Sequence, residues 1–424
     1  MGKHILITSI PSWNQRSGSN TFSTLFERFD SNDLANLYIR PEVPDSTVCS
    51  RYFNIREWRV VKSILKRNTI TGIEVESKHV ETQELVDEQI KMTHYSKNRK
   101  RIFLWMRELA WQLGNWKSKE LNEFLNDFAP EVLVFPIESY PYFNRINEYI
   151  IKKCKPKKVV GYLWDDNFTY KQCPNNVFFI IERFFLRKQV RRLVKQCSHI
   201  LAISPKMKEE CDKEFGVNSI IMTKPLRATS MSNYQYNGGI IRLLYTGSLV
   251  IGRDMVMKSV AKAVDRINED RSLIQLDIYT NTAVNEVYKD EINSYKGCKL
   301  HGAIPQSQVF VEQEHSDVLI FCESLGKGCN VARLSFSTKI TDYLSSGRCI
   351  MAIGPIDNSS IEYFTNEDAA LVCSREEDIY NLLKKMIDNN GLIEEYAEKS
   401  CRCGQKNHNA ETLNEKLKEI IYGL

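Results

Sequence analysis

Ser337, Thr338, Lys339 and Asp342 are the residues whose types and spacing most directly suggest chemistry. Ser335, Ser337 and Thr338 are N-cap types ahead of a run that ends at Gly347, so a helix is expected to begin there with backbone N–H groups facing outward. Such a terminus favours an anion by roughly 0.3–1 kcal/mol and can seat a diphosphate. Lys339 would add a charge-assisted hydrogen bond of about 1.5–3 kcal/mol. Asp342 stands one helical turn after Thr338, placed to accept hydrogen bonds from vicinal hydroxyls such as those of a ribose. A short apolar strand, Cys349 to Ile353, follows at once.

Other candidates sit where strands run into turns. Leu243–Thr246 leads into Gly247 and Ser248, with Arg253 beyond; glycine lets a backbone approach a phosphate closely, and an Arg can neutralise it bidentately. Glu323 follows the strand Asp317–Phe321 and so belongs at the carboxyl edge of a sheet, where ligands collect. Asp165 and Asp166 follow the strand Lys158–Leu163; a carboxylate there can take a proton from a hydroxyl. Cys401, Cys403 and His408 lack a fourth ligand, and no Asp-x-Asp cluster stands in a suitable place, so neither a metal nor another cofactor is expected.

These residues need scaffolding, and the chain supplies it twice. Strands are expected at 4–10, 35–39, 131–136, 158–163, 198–204 and 220–223, with helices at 21–29, 144–153, 177–196 and 205–215 between them. The stretch 51–121 is charged and reads as helical. After a polar segment ending in Asn237-Gly238-Gly239 the alternation restarts, with strands at 240–245, 274–279, 299–301 and 317–321 and helices at 255–268, 286–295, 306–314 and 375–389. This predicts an α/β chain with two Rossmann-like domains facing a central cleft: residues 1–226, a hinge at 227–239, residues 240–400, and a C-terminal segment 401–424.

Composition agrees with two ordinary cores: 424 residues, 42% hydrophobic and 26% charged. A net charge of +5 suits a phosphate-bearing ligand or an anionic membrane surface and is too small to argue for nucleic acid. Twelve cysteines without a disulfide-framework spacing, and no signal-peptide pattern at the N-terminus, point to a reducing cytoplasm. No apolar run reaches the ~20 residues that would cross a bilayer. Two segments mixing basic and aromatic residues, 97–107 and 182–195, are candidates for docking on anionic headgroups; for the second, a solvated helix face is the preferred reading.

Ser337-Thr338-Lys339-Ile340-Thr341-Asp342-Tyr343-Leu344-Ser345-Ser346-Gly347-Arg348 resembles the Pro-Ser-Lys-Leu-x-Glu-Tyr-Leu-Ala-x-Gly-Lys-Pro donor motif of GT-B glycosyltransferases, most closely the large retaining family that builds bacterial surface polysaccharides. The resemblance implies a second domain that binds a nucleotide diphosphate sugar and a first that binds a lipid-linked or oligosaccharide acceptor. It places Asp342 on the ribose and Arg253 on the diphosphate. Ser248 stands where the family has an Arg, which leaves Lys339 or Arg333 to supply the second cation. The loop His301-Gly302-Ala303-Ile304-Pro305 is similar to one that meets the nucleotide base, and Gly18-Ser19 to one beneath the diphosphate. Asp165 matches an acid facing the sugar or acceptor, and Glu323 an acid near the donor; both are candidate catalytic groups. The resemblance also implies retention at the anomeric carbon and terminal helices that cross back to the first domain, expected near 413–421. Docking by the basic and aromatic segments 97–107 or 182–195 would place the chain peripherally on the inner face of the cell membrane. An inverting transferase, a nucleotide-sugar epimerase and a non-catalytic binding module stay open on the same fold.

Overall fold

The structure is a computed structural model that describes residues 3–14, 21–75, 101–226, 234–326 and 328–423. Two sheets organise them. The first contains β1 (Ile5–Ser9), β2 (Leu34–Tyr38), β3 (Arg51–Ile55), β4 (Gly72–Val75), β5 (Val132–Pro136), β6 (Lys158–Leu163), β7 (His199–Ala202) and β8 (Ile220–Ile221), in the order β4-β3-β2-β1-β5-β6-β7-β8. The second contains β9 (Ile241–Thr246), β10 (Ile274–Tyr279), β11 (Cys298–His301), β12 (Val318–Cys322), β13 (Cys349–Ile353) and β14 (Leu371–Cys373), in the order β11-β10-β9-β12-β13-β14. All pairings in the second sheet are parallel. Central strands such as β1, β5, β12 and β13 are buried along their whole length, as sheets covered on both faces require.

The stretch 51–121 meets the helical expectation at Glu57–Ser63 and Arg101–Leu113, has residues 76–100 outside the described residues, and departs from it at two strands. Tyr52, Phe53 and Ile55 make a buried strand, and β4 returns antiparallel beside it as the sheet edge. Arg51 closes this edge by pairing with both Glu74 and Asp127 at 2.6 and 2.7 Å. Charge along the segment disguised the strand, because its cations are matched only in three dimensions.

The C-terminal helix Ala410–Tyr422 crosses back onto the first lobe. Its carbonyls at Ile421 and Tyr422 accept from Lys3, Tyr422 stacks on Phe29 and Asn414 donates to the Leu25 carbonyl. Cys401, Cys403 and His408 are buried structural groups: His408 Nε2 lies 2.8 Å from the Tyr363 hydroxyl, which also contacts Cys403 Sγ at 3.2 Å. Residues 227–233 of the expected hinge lie outside the described residues; Gly238 and Gly239 both adopt the positive φ that glycine favours. Among the described residues no helix is long and apolar enough to cross a membrane.

Strand order reverses between β1 and β5 in one sheet and between β9 and β12 in the other. Each reversal opens a crevice at the carboxyl ends of its strands. The two carboxyl edges face each other, since loops that leave them touch across the lobes. Ser204, after β7, meets Ser359, after β13, at 2.7 Å. Asp165, after β6, meets Ser335 at 2.5 Å.

Candidate functional site

The second lobe's crevice is flanked by Gly247 after β9 and Glu323 after β12. Gly247 has φ +148°, and a Cβ there would lie 2.6 Å from Lys339 Nζ. The positive φ favours glycine here, and the missing Cβ leaves room for the tip of the lysine that reaches up from the first turn of the helix Lys339–Ser346. Lys339 Nζ is buried, sits 4.8 Å from the Tyr245 ring centroid, and has no hydrogen-bond acceptor among the described residues. Burial, reinforced by the nearby Arg253 guanidinium, holds this ammonium below the usual lysine range.

Arg253 opens the helix Arg253–Ile267 and donates to Glu323 Oε2 through Nη2 at 2.7 Å and Nε at 3.1 Å. Gly252, at φ +78°, admits the Ser324 hydroxyl where a Cβ would clash at 2.4 Å. Glu323 is buried and committed to this pair, a partnership that residue type and spacing did not draw. Its observed job is to orient a guanidinium at the crevice.

The mouth of the 339–346 helix differs from the expected N-cap. Thr338 is itself helical and makes no side-chain cap bond; Ser337 Oγ accepts weakly from the Lys339 N–H at 3.4 Å. Asp342 pairs with Lys224 of the first lobe at 3.0 Å. Ser248 joins its hydroxyl to Thr282 at 3.1 Å. His301 closes β11, stacked on Tyr279 at 4.3 Å and 2.7 Å from Asp277. β9, β10 and β11 end in register at Thr246, Tyr279 and His301, so His301 and Gly247 share one edge. Gly18 and Ser19 lie outside the described residues.

Across the gap, the first lobe presents Asp165 and a residue that the sequence pattern did not single out, Glu138. Asp165 keeps contact with solvent but lies between the lobes, and that desolvation raises its pKa above the usual aspartate range; the Ser335 hydroxyl and Arg183 counteract in part. Glu138 follows β5 by two residues, and burial together with the Asp165 charge pushes it up to about 7. The Trp164 side chain hydrogen-bonds to it, and Asn144 fixes its backbone from both sides at 3.0 and 2.8 Å. An acid just past a buried strand was the signal that picked out Asp165; applied to β5, it picks out Glu138. Asp166, by contrast, caps the following turn by accepting from the Thr169 backbone and hydroxyl.

Charged pairs clasp the lobes beside this site. Arg333, its side chain 4% exposed, binds Glu210 through two hydrogen bonds at 2.5 and 2.6 Å. Lys206 reaches both Asp357 and Glu362. The clasp thus consumes Arg333, and of the two residues expected to supply a second diphosphate cation it leaves Lys339. A separate cavity of about 1060 Å³ lies at the opposite, amino edge of the second sheet, lined in part by Tyr234, Arg242 and Arg348, with Asp317 already bound to Tyr234 at 2.6 Å. Among the described residues no group of three or more His, Cys, Asp or Glu could hold a metal ion.

Two crevices facing one another across a gap define the GT-B architecture, and the chain has that fold. Similar solved structures span its whole length. HepE from Anabaena in complex with UDP-glucose superposes with a TM-score of 0.58 at 10% identity, covering 99% of each chain. The α,α-trehalose 6-phosphate synthase from Burkholderia multivorans gives 0.61 at 7% identity over 100% of this chain and 99% of its own. WaaG, a glycosyltransferase involved in lipopolysaccharide biosynthesis, gives 0.59 at 11% identity over 99% of this chain and 100% of its own. No family model matches the sequence, and no curated protein matches it.

Proposed function

We propose that this protein is a glycosyltransferase that moves a sugar from a nucleoside diphosphate sugar to a hydroxyl of a lipid-linked or oligosaccharide acceptor. One observation carries the reading: the Lys339 ammonium, buried without an acceptor among the described residues, stands against Gly247 at the crevice where Arg253 is also aimed. Buried cations are normally paired, and a diphosphate would pair this one.

In the reaction the acceptor oxygen bonds to the anomeric carbon from the same face that the diphosphate leaves, so that configuration is kept, as the bond from that carbon to the diphosphate breaks. Negative charge grows on the departing diphosphate, where Lys339 and Arg253 are preorganised to meet it. The acceptor hydroxyl gives its proton to the first lobe's carboxylates. Glu138, poised near neutrality, suits the general base, and Asp165 beside it keeps its affinity for the proton high. Supported by the donor-motif resemblance, we carry forward retention of the anomeric configuration, no requirement for a metal, and a role in surface polysaccharide synthesis.

The test is calorimetric titration of the chain with UDP, GDP, TDP and ADP, followed by NMR of the product from whichever sugar nucleotide binds. A product of unchanged anomeric configuration is expected. An inverted product overturns retention, and failure of every nucleotide to bind overturns the transferase reading.

A further inference from the structure

The loop after β2 carries a guanidinium that the reaction above leaves unused. Arg40 stands two residues beyond Tyr38, and its side chain is 51% exposed. Its one ionic contact among the described residues is Glu42 Oε1, at a long 3.7 Å. Glu42 is already engaged, because its other oxygen accepts from the Ser12 backbone N–H at 3.2 Å and the Ser12 hydroxyl at 3.3 Å. The backbone beneath Arg40 is nevertheless firmly held. Asn54, fully buried, donates to the carbonyls of Tyr38 at 3.2 Å and of Arg40 at 3.0 Å. The Tyr38 hydroxyl donates to the Glu42 carbonyl at 2.9 Å, and the Ile10 carbonyl accepts from the N–H groups of Ile39 and Arg40. Burying polar side chains costs desolvation. Here two of them fix a loop whose projecting cation has no strong partner among the described residues.

The sheet sets this cation beside the first lobe's carboxylates. Ser9 pairs with Tyr38 on one side and Ile7 with Val134 on the other, so β1, β2 and β5 end at one level. Arg40 and Glu138 each follow their strands by two residues, and β1 alone separates those strands. Their backbones therefore stand about 10 Å apart, two strand spacings. Two long side chains take up part of that distance, and what remains is of the order of one sugar ring. The charges also feel one another. Burial and the Asp165 charge raise the Glu138 carboxyl, and the Arg40 charge is among the influences that oppose them. Arg56, two residues past Asn54 on the neighbouring strand, is buried at the same level and adds positive charge to this edge.

We propose that Arg40 selects an acceptor saccharide that carries an anionic group, a carboxylate or a phosphate, about one ring away from the hydroxyl that reacts. The planar fork of a guanidinium matches either oxyanion bidentately. Glu42 keeps its bonds to Ser12 when the anion arrives and gives up no more than the long contact. Arg40 plays no part in bond making; it decides which sugar is held with a hydroxyl at Glu138. That this sugar is an acceptor rests on the transferase reading above, whereas the anion site itself does not.

The test is titration of the full chain, followed by saturation-transfer NMR, with methyl pyranosides of gluco, galacto and manno configuration. Each is supplied in three forms that differ only at C5: hydroxymethyl, carboxylate and phosphorylated hydroxymethyl. In at least one series the wild-type chain should bind an acidic form about tenfold or more tightly than its neutral twin. The stronger of the two acidic forms then identifies the anion. Arg40→Gln should bind acidic and neutral twins alike, with an unchanged melting temperature because the side chain is half exposed. Arg40→Lys should recover part of the preference, since it restores the charge without the fork. A wild-type chain that binds neutral and acidic forms equally, or binds none of them, overturns the proposal. So does an Arg40→Gln variant that keeps the wild-type preference. Nucleoside diphosphate titration of the same proteins separates the two readings. Acid preference without nucleotide binding sinks the transferase and leaves the anion site intact; nucleotide binding without acid preference does the reverse.

Discussion

Replacing Lys339 with Met should move stability and ligand affinity in opposite directions. The substitution keeps an unbranched side chain one atom shorter and removes an ammonium that is buried with no acceptor among the described residues. An unsatisfied buried polar group costs about 1–3 kcal/mol, and the ring contact with Tyr245 returns roughly 1 kcal/mol of that. Without nucleotide the variant should therefore be more stable by up to about 2 kcal/mol, a rise of roughly 2–8 °C in melting temperature for a lobe of this size. With nucleotide, the lost charge-assisted hydrogen bond of about 1.5–3 kcal/mol lowers affinity by roughly 10- to 150-fold. Differential scanning calorimetry with and without nucleotide reads both effects. The pH dependence adds a check. A lysine whose folded pKa is depressed binds fewer protons in the folded state, so the wild-type chain should gain stability as pH rises from the folded pKa toward about 10.4, and the variant should lack that gain. A variant that melts below wild type without ligand and binds nucleotide equally well would show Lys339 to be an ordinary structural residue.

Three further outcomes follow from the same geometry. With Glu138 held near 7, kcat/KM should rise with pH through an apparent pKa near 7, and Asp165→Asn, by removing the adjacent charge, should move that limb to lower pH; a limb that stays in place removes Glu138 as the base. His408 is held at about 4 by burial, below its ordinary value near 6.5, so the unfolded chain binds its proton first and stability should fall as pH drops from about 6.5 toward 4; the urea midpoint of His408→Gln should be flatter across that window. Arg333→Ala leaves Glu210 with Lys171 alone, at 3.1 Å, and removes the charged pair that joins the lobes there, which should cost about 1.5–3 kcal/mol or part the lobes; a lowered urea midpoint or an increased radius of gyration in solution scattering would register it, and an unchanged value of both would show that the clasp does not hold the lobes together.

The legible parts of the fold were those written in local pattern. Val177–Gln196 and Pro205–Phe215 were readable from periodicity and from caps: Asn176 and Ser204 accept from the third residue beyond, and Gly216 ends the second helix at φ +68°. β3 was hidden because its identity depends on β2 and β4 beside it, and Arg51 reads as a solvated charge until Glu74 and Asp127 arrive from elsewhere in the chain. In the candidate site, Gly247, Arg253, Glu323 and Lys339 were each found by type and spacing. That Arg253 and Glu323 hold each other, that Lys339 is left without an acceptor among the described residues, and that Asp342 answers to Lys224 were beyond the reach of any one-dimensional reading.

The sequence alone determined the alternation of strands and helices, the position of the turns and the end of the 339–346 helix at Gly347, because hydrophobic period, caps and glycine conformations act over a few residues. Tertiary structure decided which charges are spent and which are left. Asp165 and Glu138 come from separate loops, and the Asp165 charge raises the proton affinity of Glu138 only because β5 and β6 are neighbours in the sheet. The outward stripes of the 101–113 and 177–196 helices were likewise invisible beforehand: periodicity shows that a helix has an apolar side, and only packing decides whether that side faces the core or the water.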